Sequence, residues 1–381
     1  MTIKDTKEKV AFILGAGFSK CADLPVQSEF SSLLTSNEFH NPIDVLITKT
    51  IKDFLKDVFG WKVMMDLPNL EDIFTFIDLS AGSGHHLGIK YKPNRLRALR
   101  RMLIYRTFQI IDHRFKYSVD IERLLRHYQN DDCSFVVMNW DIVLEKHLQS
   151  INTNRKINYI TPSHDWDNHE RGNSEEGIKI CKMHGSSNWA YCENCKTLFY
   201  LLDEKLSLHK KVGLVKSDFR LFDEKFTDKH FDDSIGLSPS EKQCRICNNS
   251  LATHIATFSY RKSFRTAAYP AIWLEAENIL ANATKWIFVG YSLPEADFEI
   301  KHLIKSSELR LKHKKISRDI DVVIYHDTNT KNKFEKFFGV GNVKIFDEGL
   351  SNYVSLFKGD IEDATPEHAT RIDKNNSVDE V

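Results

Sequence analysis

Hydrophobic positions along this chain follow two patterns, and their order sets the fold class. Short apolar runs occupy 10–14, 134–138, 285–289 and 321–325. Runs of that length, closed by glycine or polar residues, read as strands buried on both faces of a parallel sheet. Residues 178–183 alternate and read as a further strand, and 255–258 and 343–346 are strand-like. Between the first two runs the pattern changes. Ile43, Leu46, Ile47, Ile51, Phe54, Leu55 and Val58 recur at helical spacing, as do Leu70, Ile73, Phe74 and Ile77. Leu96, Leu99, Leu103, Ile110, Ile111 and Phe115 predict a long helix. With shorter helices at 26–34 and 120–128, residues 26–130 read as an all-helical insertion behind the first strand. Helices are also expected at 142–148, 272–283 and 297–309. The expected fold is α/β: a Rossmann-like parallel sheet with a helical insertion.

The residues that close the strands carry the candidate chemistry. The first run ends in Gly15-Ala16-Gly17-Phe18-Ser19. Glycines there let backbone approach a ligand and expose N–H groups at a helix start, where a pyrophosphate fits. The dinucleotide fingerprint is incomplete, since Lys20 stands where its third glycine belongs. An ordinary tight strand-to-helix turn explains the same residues. The second run ends in Asn139-Trp140-Asp141, where open α/β sheets bind ligands, although Asn and Asp also serve as plain turn and cap residues. Residues 178–183 lead into His184-Gly185-Ser186, which on its own fits a turn. The 285–289 run ends in Gly290-Tyr291-Ser292, and the 321–325 run leads to His326-Asp327, an acid that can bond a ribose hydroxyl.

Cysteine spacing adds a metal site. Cys192 and Cys195 form one Cys-x-x-Cys pair, and Cys244 and Cys247 form another. Two such knuckles suit a tetrahedral, four-thiolate structural zinc with no open catalytic position; a redox dithiol is the competing reading. The charged stretch 203–242 loops out between them, so 190–250 reads as a small four-cysteine zinc-binding module with an insertion.

Composition narrows the classes. The chain has 381 residues, 41% hydrophobic and 28% charged, as in an ordinary globular protein. Its 53 basic and 53 acidic residues cancel, which argues against wholesale nucleic-acid binding. Arg95, Arg97, Arg100, Arg101 and Arg106 on one expected helix remain open to two readings, a solvated or interface face and phosphate contact. No apolar run approaches the ~20 residues that span a bilayer. The polar start, Met1 to Lys9, is no secretory signal, so a reducing cytoplasm is expected. Residues 351–381 read as a polar, partly disordered tail behind a catalytic domain covering 1–350.

The order of these motifs resembles the sirtuin (silent-information-regulator) superfamily, as scattered motifs over roughly 10–350. The resemblance implies NAD as ligand and substrate. Gly15, Ala16, Gly17 and Ser19 would hold its pyrophosphate, with Asn139 and Asp141 around the nicotinamide ribose and His184 as general base. Gly290 and Ser292 would contact the nucleotide, and Asp327 the adenosine ribose. It also implies a structural zinc on Cys192, Cys195, Cys244 and Cys247. The chain departs from the protein-deacylating members. Leu24-Pro25 is followed by Val26-Gln27-Ser28-Glu29-Phe30 without their arginine, and their peptide-binding strand is not recognisable near Thr257-Phe258-Ser259-Tyr260. With its helical insertion, the chain is similar to the bacterial branch found in anti-phage defence. That implies an NAD+ glycohydrolase, working as a homo-oligomer or beside a partner ATPase. An NAD-dependent protein deacylase and a non-catalytic NAD or ADP-ribose sensor remain alternatives.

Overall fold

A computed structural model describes residues 7–62, 65–151, 156–160, 163–165, 177–192, 194–200, 214–226, 243–249, 251–255, 268–295, 297–313 and 317–357. The chain runs β1 (Lys9–Leu14), α1 (Ala16–Lys20), α2 (Gln27–Leu34), α3 (Pro42–Phe59), α4 (Leu70–Ser83), α5 (Pro93–Arg114), α6 (Val119–His127), β2 (Asp132–Val137), α7 (Val143–Ser150), β3 (Ile157–Asn158) and β4 (Ser163–Asp165). It continues with β5 (Ile178–Lys182), β6 (Gly185–Cys192), β7 (Leu198–Tyr200), α8 (Lys216–Arg220), β8 (Leu251–Ile255), α9 (Ala268–Leu280) and β9 (Lys285–Val289). It closes with α10 (Phe298–His313), β10 (Asp319–Val323), α11 (Thr328–Phe338), β11 (Lys344–Phe346) and α12 (Gly349–Ser355).

Seven strands form one parallel sheet in the order β11-β10-β9-β1-β2-β5-β3. The expected Rossmann-like α/β class is the observed one. β1 lies at the centre because Val10 to Leu14 can be buried on both faces at once. It pairs with β2 on one side and β9 on the other, so the strand order reverses across it. Phe12 stacks on Phe135 of β2 at 5.1 Å and fixes that neighbour's register from one face.

The insertion between β1 and β2 is helical, as the spacing predicts. α3 starts at Asn41, whose side chain accepts from the Asp44 amide at 2.8 Å, and ends at Gly60 in the left-handed conformation. α5 is the core of this layer, with Leu96, Leu99, Met102, Leu103, Phe108 and Ile110 buried. Its arginines have protein partners. Arg95 donates to the Lys90 carbonyl, Arg97 to the Ala81 carbonyl and Arg100 to Asp78 at 2.6 Å. Arg101 pairs with Asp218 of α8, and Arg106 is buried against Asp44. The interface reading therefore holds over phosphate contact.

A second, four-stranded sheet has the order β4-β7-β6-β8. β6 connects the two sheets, since it follows β5 after the two-residue turn Met183-His184. Two details differ from expectation. The tail does not begin at 351: Tyr353 and Val354 of α12 are buried in the core. The fourth parallel strand spans Asp319–Val323 rather than reaching Tyr325. Of the strand expected at 255–258, Ile255 belongs to β8 and 256–258 lie outside the described residues. Most of the 203–242 stretch and all of 358–381 also lie outside them.

Candidate functional site

Four strand ends converge on one cleft at the C-terminal edge of the parallel sheet. The turns after β1, β2, β5 and β9 supply Gly15, Ala16 and Ser19; Met138, Asn139, Trp140 and Asp141; His184; and Gly290, Tyr291, Ser292, Pro294 and Asp297. The cleft's cavity volume is about 170 Å³. It lies beside the strand-order reversal, where open α/β sheets place their ligands. The helical layer closes one side with Phe30, Glu71 and Ile111, and the loop before α2 adds Leu24 and Pro25.

The glycines have a reason the sequence reading did not reach. The turns after β1 and β9 cross backbone to backbone. The Gly15 amide donates to the Val289 carbonyl at 3.0 Å, and the Gly17 amide to the Gly290 carbonyl at 2.9 Å. A Cβ on Gly15 would stand 2.6 Å from the Gly290 oxygen, and one on Gly17 2.6 Å from the Gly290 Cα. Gly290 has φ +61°, and a Cβ there would lie 2.3 Å from Gly17 backbone atoms. The expected cradle of free glycine amides is thus corrected, because the Gly15 and Gly17 N–H groups are consumed by the crossing. Gly17 is absent from the cleft lining, while Ala16 and Ser19 belong to it.

Asn139 is held by both of its amide protons. Its Nδ2 donates to the Gly15 carbonyl at 2.8 Å and to Ser19 Oγ at 2.7 Å. The Gly15 carbonyl can only accept, which fixes the amide orientation and leaves Asn139 Oδ1 as an acceptor for a ligand. Ser19 passes the chain on, donating to Asp141 Oδ2 at 2.7 Å. Asp141 Oδ1 accepts from the Val143 amide at 3.0 Å, so this carboxylate braces the start of α7 and orients Ser19. Below it, Lys182 is fully buried and donates to the Asp141 carbonyl at 2.5 Å, with Glu145 3.3 Å away. Tyr159 donates to Glu145 at 3.1 Å and accepts from Asn188 at 3.2 Å. Burial raises the Glu145 carboxyl above its ordinary range, with Lys182 opposing.

His184 sits on the two-residue turn between β5 and β6. Its Nδ1 lies 3.1 Å from the Met138 carbonyl, an acceptor only, so Nδ1 carries the proton and Nε2 is the basic nitrogen. The described lining offers Glu71, Asp141 and Asp297 as carboxylates and no lysine or arginine. Such a surface favours a positively charged ligand group or transition state.

Of the residues singled out from sequence, Gly15, Ala16, Ser19, Asn139, Asp141, His184, Gly290 and Ser292 meet at this cleft. Asp327 does not. It caps α11, accepting from the Thr330 amide at 2.9 Å and from the Thr330 hydroxyl at 2.6 Å, and it lies outside the lining. Sequence reasoning missed Glu71, Phe30 and Ile111, which reach the cleft only through tertiary packing. It also missed Lys182, whose signal was a lysine closing an alternating strand just before His184.

The four paired cysteines form a separate cluster. Cys192 ends β6, Cys195 lies in the turn to β7, and Cys244 and Cys247 precede β8. Their sulfurs all lie within 4.8 Å of one another, with Cys192–Cys247 at 3.4 Å and Cys195–Cys244 at 3.5 Å. Sulfurs at the corners of a tetrahedron with ~2.3 Å zinc bonds stand ~3.8 Å apart, so the set fits that ion. The knuckles match in backbone too: Lys196 (φ 60°) and Asn248 (φ 58°) each follow the second cysteine in the left-handed conformation. These residues could hold a structural zinc. A four-thiolate site of this kind stabilises the module and is closed to substrate.

No protein-family model matches the chain, and a comparison with curated proteins finds no match. Solved structures do match. The chain is similar to Sir2 structures. One, from "Structural Basis for the Mechanism and Regulation of Sir2 Enzymes", is 13% identical over 92% of this chain and 92% of its own, with TM-score 0.41. A Sir2 homologue in complex with ADP-ribose is 12% identical over 98% and 96%, with TM-score 0.37. A Sir2 with a peptide and NAD+ is 13% identical over 93% and 96%, with TM-score 0.35. Likenesses this distant say nothing about chemistry, which rests on the cleft itself.

Proposed function

We propose that this chain is an NAD+ glycohydrolase, cleaving NAD+ with water to nicotinamide, ADP-ribose and a proton. The observation that carries the reading is the meeting of Asn139, Asp141 and His184 in one cleft, in the motif order that resembles the sirtuin superfamily. Nicotinamide leaves a pyridinium as a neutral base, taking the bonding electron pair with it. No strong acid is needed, and the sugar passes through an oxocarbenium-like transition state. The Asn139 carbonyl oxygen would hold the attacking water or a ribose hydroxyl. His184 Nε2 would take the proton that water loses as its oxygen bonds the sugar carbon. Asp141, Glu71 and Asp297 supply negative potential where positive charge develops. Ala16, Ser19, Gly290 and Ser292 would contact the rest of the dinucleotide.

The test is loss of NAD+ and release of nicotinamide by zinc-loaded protein, alone and with neighbouring gene products. His184→Ala and Asn139→Ala should each slow cleavage by about 100- to 10,000-fold while the melting temperature holds. Intact NAD+ in every assembly overturns the reading. Release of an acyl group from a peptide only with NAD+ present would make the chain a deacylase, and tight binding without turnover would make it a sensor. In its cellular setting we read the activity as the effector of a bacterial anti-phage defence system, held idle by oligomerisation or a partner ATPase. Loss of cellular NAD+ on phage infection, absent in His184→Ala cells, is the matching measurement.

A further inference from the structure

We propose that Asp297 is a positioning residue that faces His184 Nε2 and keeps the imidazole basic, a role that rests on the NAD-cleaving reading above. The geometry has three parts. The Met138 carbonyl takes the His184 Nδ1 proton at 3.1 Å, which turns Nε2 toward Asp297 Oδ1 at 3.9 Å. At 3.9 Å the imidazole nitrogen and the carboxylate oxygen are near neighbours in the cleft lining. The distance is too long for a hydrogen bond but well inside the ~4–6 Å over which an opposite charge favours imidazolium.

Asp297 is itself held. Tyr291 donates to its Oδ2 at 3.3 Å, and burial followed by the Asp297 charge pushes the Tyr291 phenol well above its ordinary range, so it stays a donor. The Asp297 amide donates to the Pro294 carbonyl at 3.2 Å, and its carbonyl accepts from Lys301 at 3.0 Å as α10 begins. Asp297 is 7% exposed, so its charge is poorly screened. The other ionisable groups around the imidazole come from each neighbouring element. Glu71 stands on α4 and Asp141 after β2, while Lys182 on β5 is turned down to the Asp141 carbonyl. In the proposed reaction, the proton taken from water arrives on Nε2, and the resulting N–H⁺ faces the Asp297 carboxylate.

The experiment is an NMR titration of histidine ring resonances in the full-length, zinc-loaded protein, with the His184 signal assigned by its loss in His184→Gln. Asp297→Asn should lower the His184 pKa by about one unit and move the acid limb of kcat/KM down by the same amount, with KM for NAD+ little changed. Tyr291→Phe should shift it in the same direction by less, and Asp297→Glu should restore most of it. An unchanged His184 titration in folded Asp297→Asn overturns the proposal. If that variant does not fold, an unchanged titration in Tyr291→Phe does so. The titration needs no turnover, so absence of NAD+ cleavage by the wild type would defeat the functional reading and leave this one to be decided separately.

Discussion

Two buried ion pairs lie in different layers of the protein, one beside the parallel sheet and one between the helices of the insertion, and they are built differently. Under the floor, Lys182 and Glu145 are 3.3 Å apart, both essentially without solvent contact. In the helical layer, Arg106 and Asp44 are also 3.3 Å apart and equally buried. The Lys182 ammonium spends a bond on the Asp141 carbonyl, and so ties its charge to the loop that carries Asn139. Arg106 instead bonds the Asp44 carbonyl at 2.9 Å and lies over the Phe39 ring at 4.7 Å, pinning α5 to α3 and the loop before it. Asp44 has other support, from Gln109 at 3.0 Å and from Asn41. One pair therefore braces the chemistry and the other braces a wall. Burial of charge by itself does not mark a functional residue; the partner it holds does.

Three substitutions put that contrast at risk. Lys182→Met carries the largest effect, because it leaves Glu145 buried with only Tyr159 against it and frees the Asp141 carbonyl. Unfolding free energy from urea titration should fall by about 3–5 kcal/mol. NAD+ cleavage per folded molecule should fall as well. Arg106→Met should cost less, about 2–3 kcal/mol, because Gln109 and Asn41 still serve Asp44. Its folded fraction should cleave NAD+ at the wild-type rate, and a matching loss of turnover would erase the distinction between the two pairs. The smallest effect is pH-dependent. The folded-state pKa of Glu145 lies above its unfolded value near ~4.3, so its contribution is fully present below that pH and is lost as pH rises through the folded value. Glu145→Gln should therefore gain on wild type as pH rises above the unfolded carboxyl value in paired urea titrations. A difference that stays flat over that rise would show that Lys182 keeps Glu145 ionised at no cost.

How much was legible follows from the physics of each element. β1, β2 and β9 declare themselves because a strand covered on both faces must be apolar throughout. The helical layer is legible from its 3.6-residue spacing, and the cysteine cluster because both knuckles are local. β6 was not legible as a strand. It carries Ser186, Ser187 and Asn188, all fully buried, and polar residues inside a small sheet break the expected alternation. Asp327 misled because an acid after a strand suits a helix cap as well as a ribose, and only the bond to Thr330 separates them. Glu71 and Asp297 reach the cleft through packing and a loop path, which no spacing encodes. The glycine motif was seen for an incomplete reason: ligand approach was expected, and a backbone crossing is what forbids a side chain at Gly17 and Gly290.

That crossing also bears on when the protein can act while it is being made. β1 leaves the ribosome first, yet its partner across the crossing follows about 275 residues later, as the Thr284 bond to Lys9 measures along the chain. At roughly 5–20 residues per second, the interval is about 15 to 55 seconds. Until β9 and its turn emerge, the centre of the sheet has an open flank, and Asn139 and His184 have no Gly290 loop opposite them. A product terminated before residue 290 would carry Asn139, His184 and all four paired cysteines and still lack one wall of the cleft. On the NAD+-cleaving proposal, the complete cleft therefore arrives only after the Gly290 turn has been made.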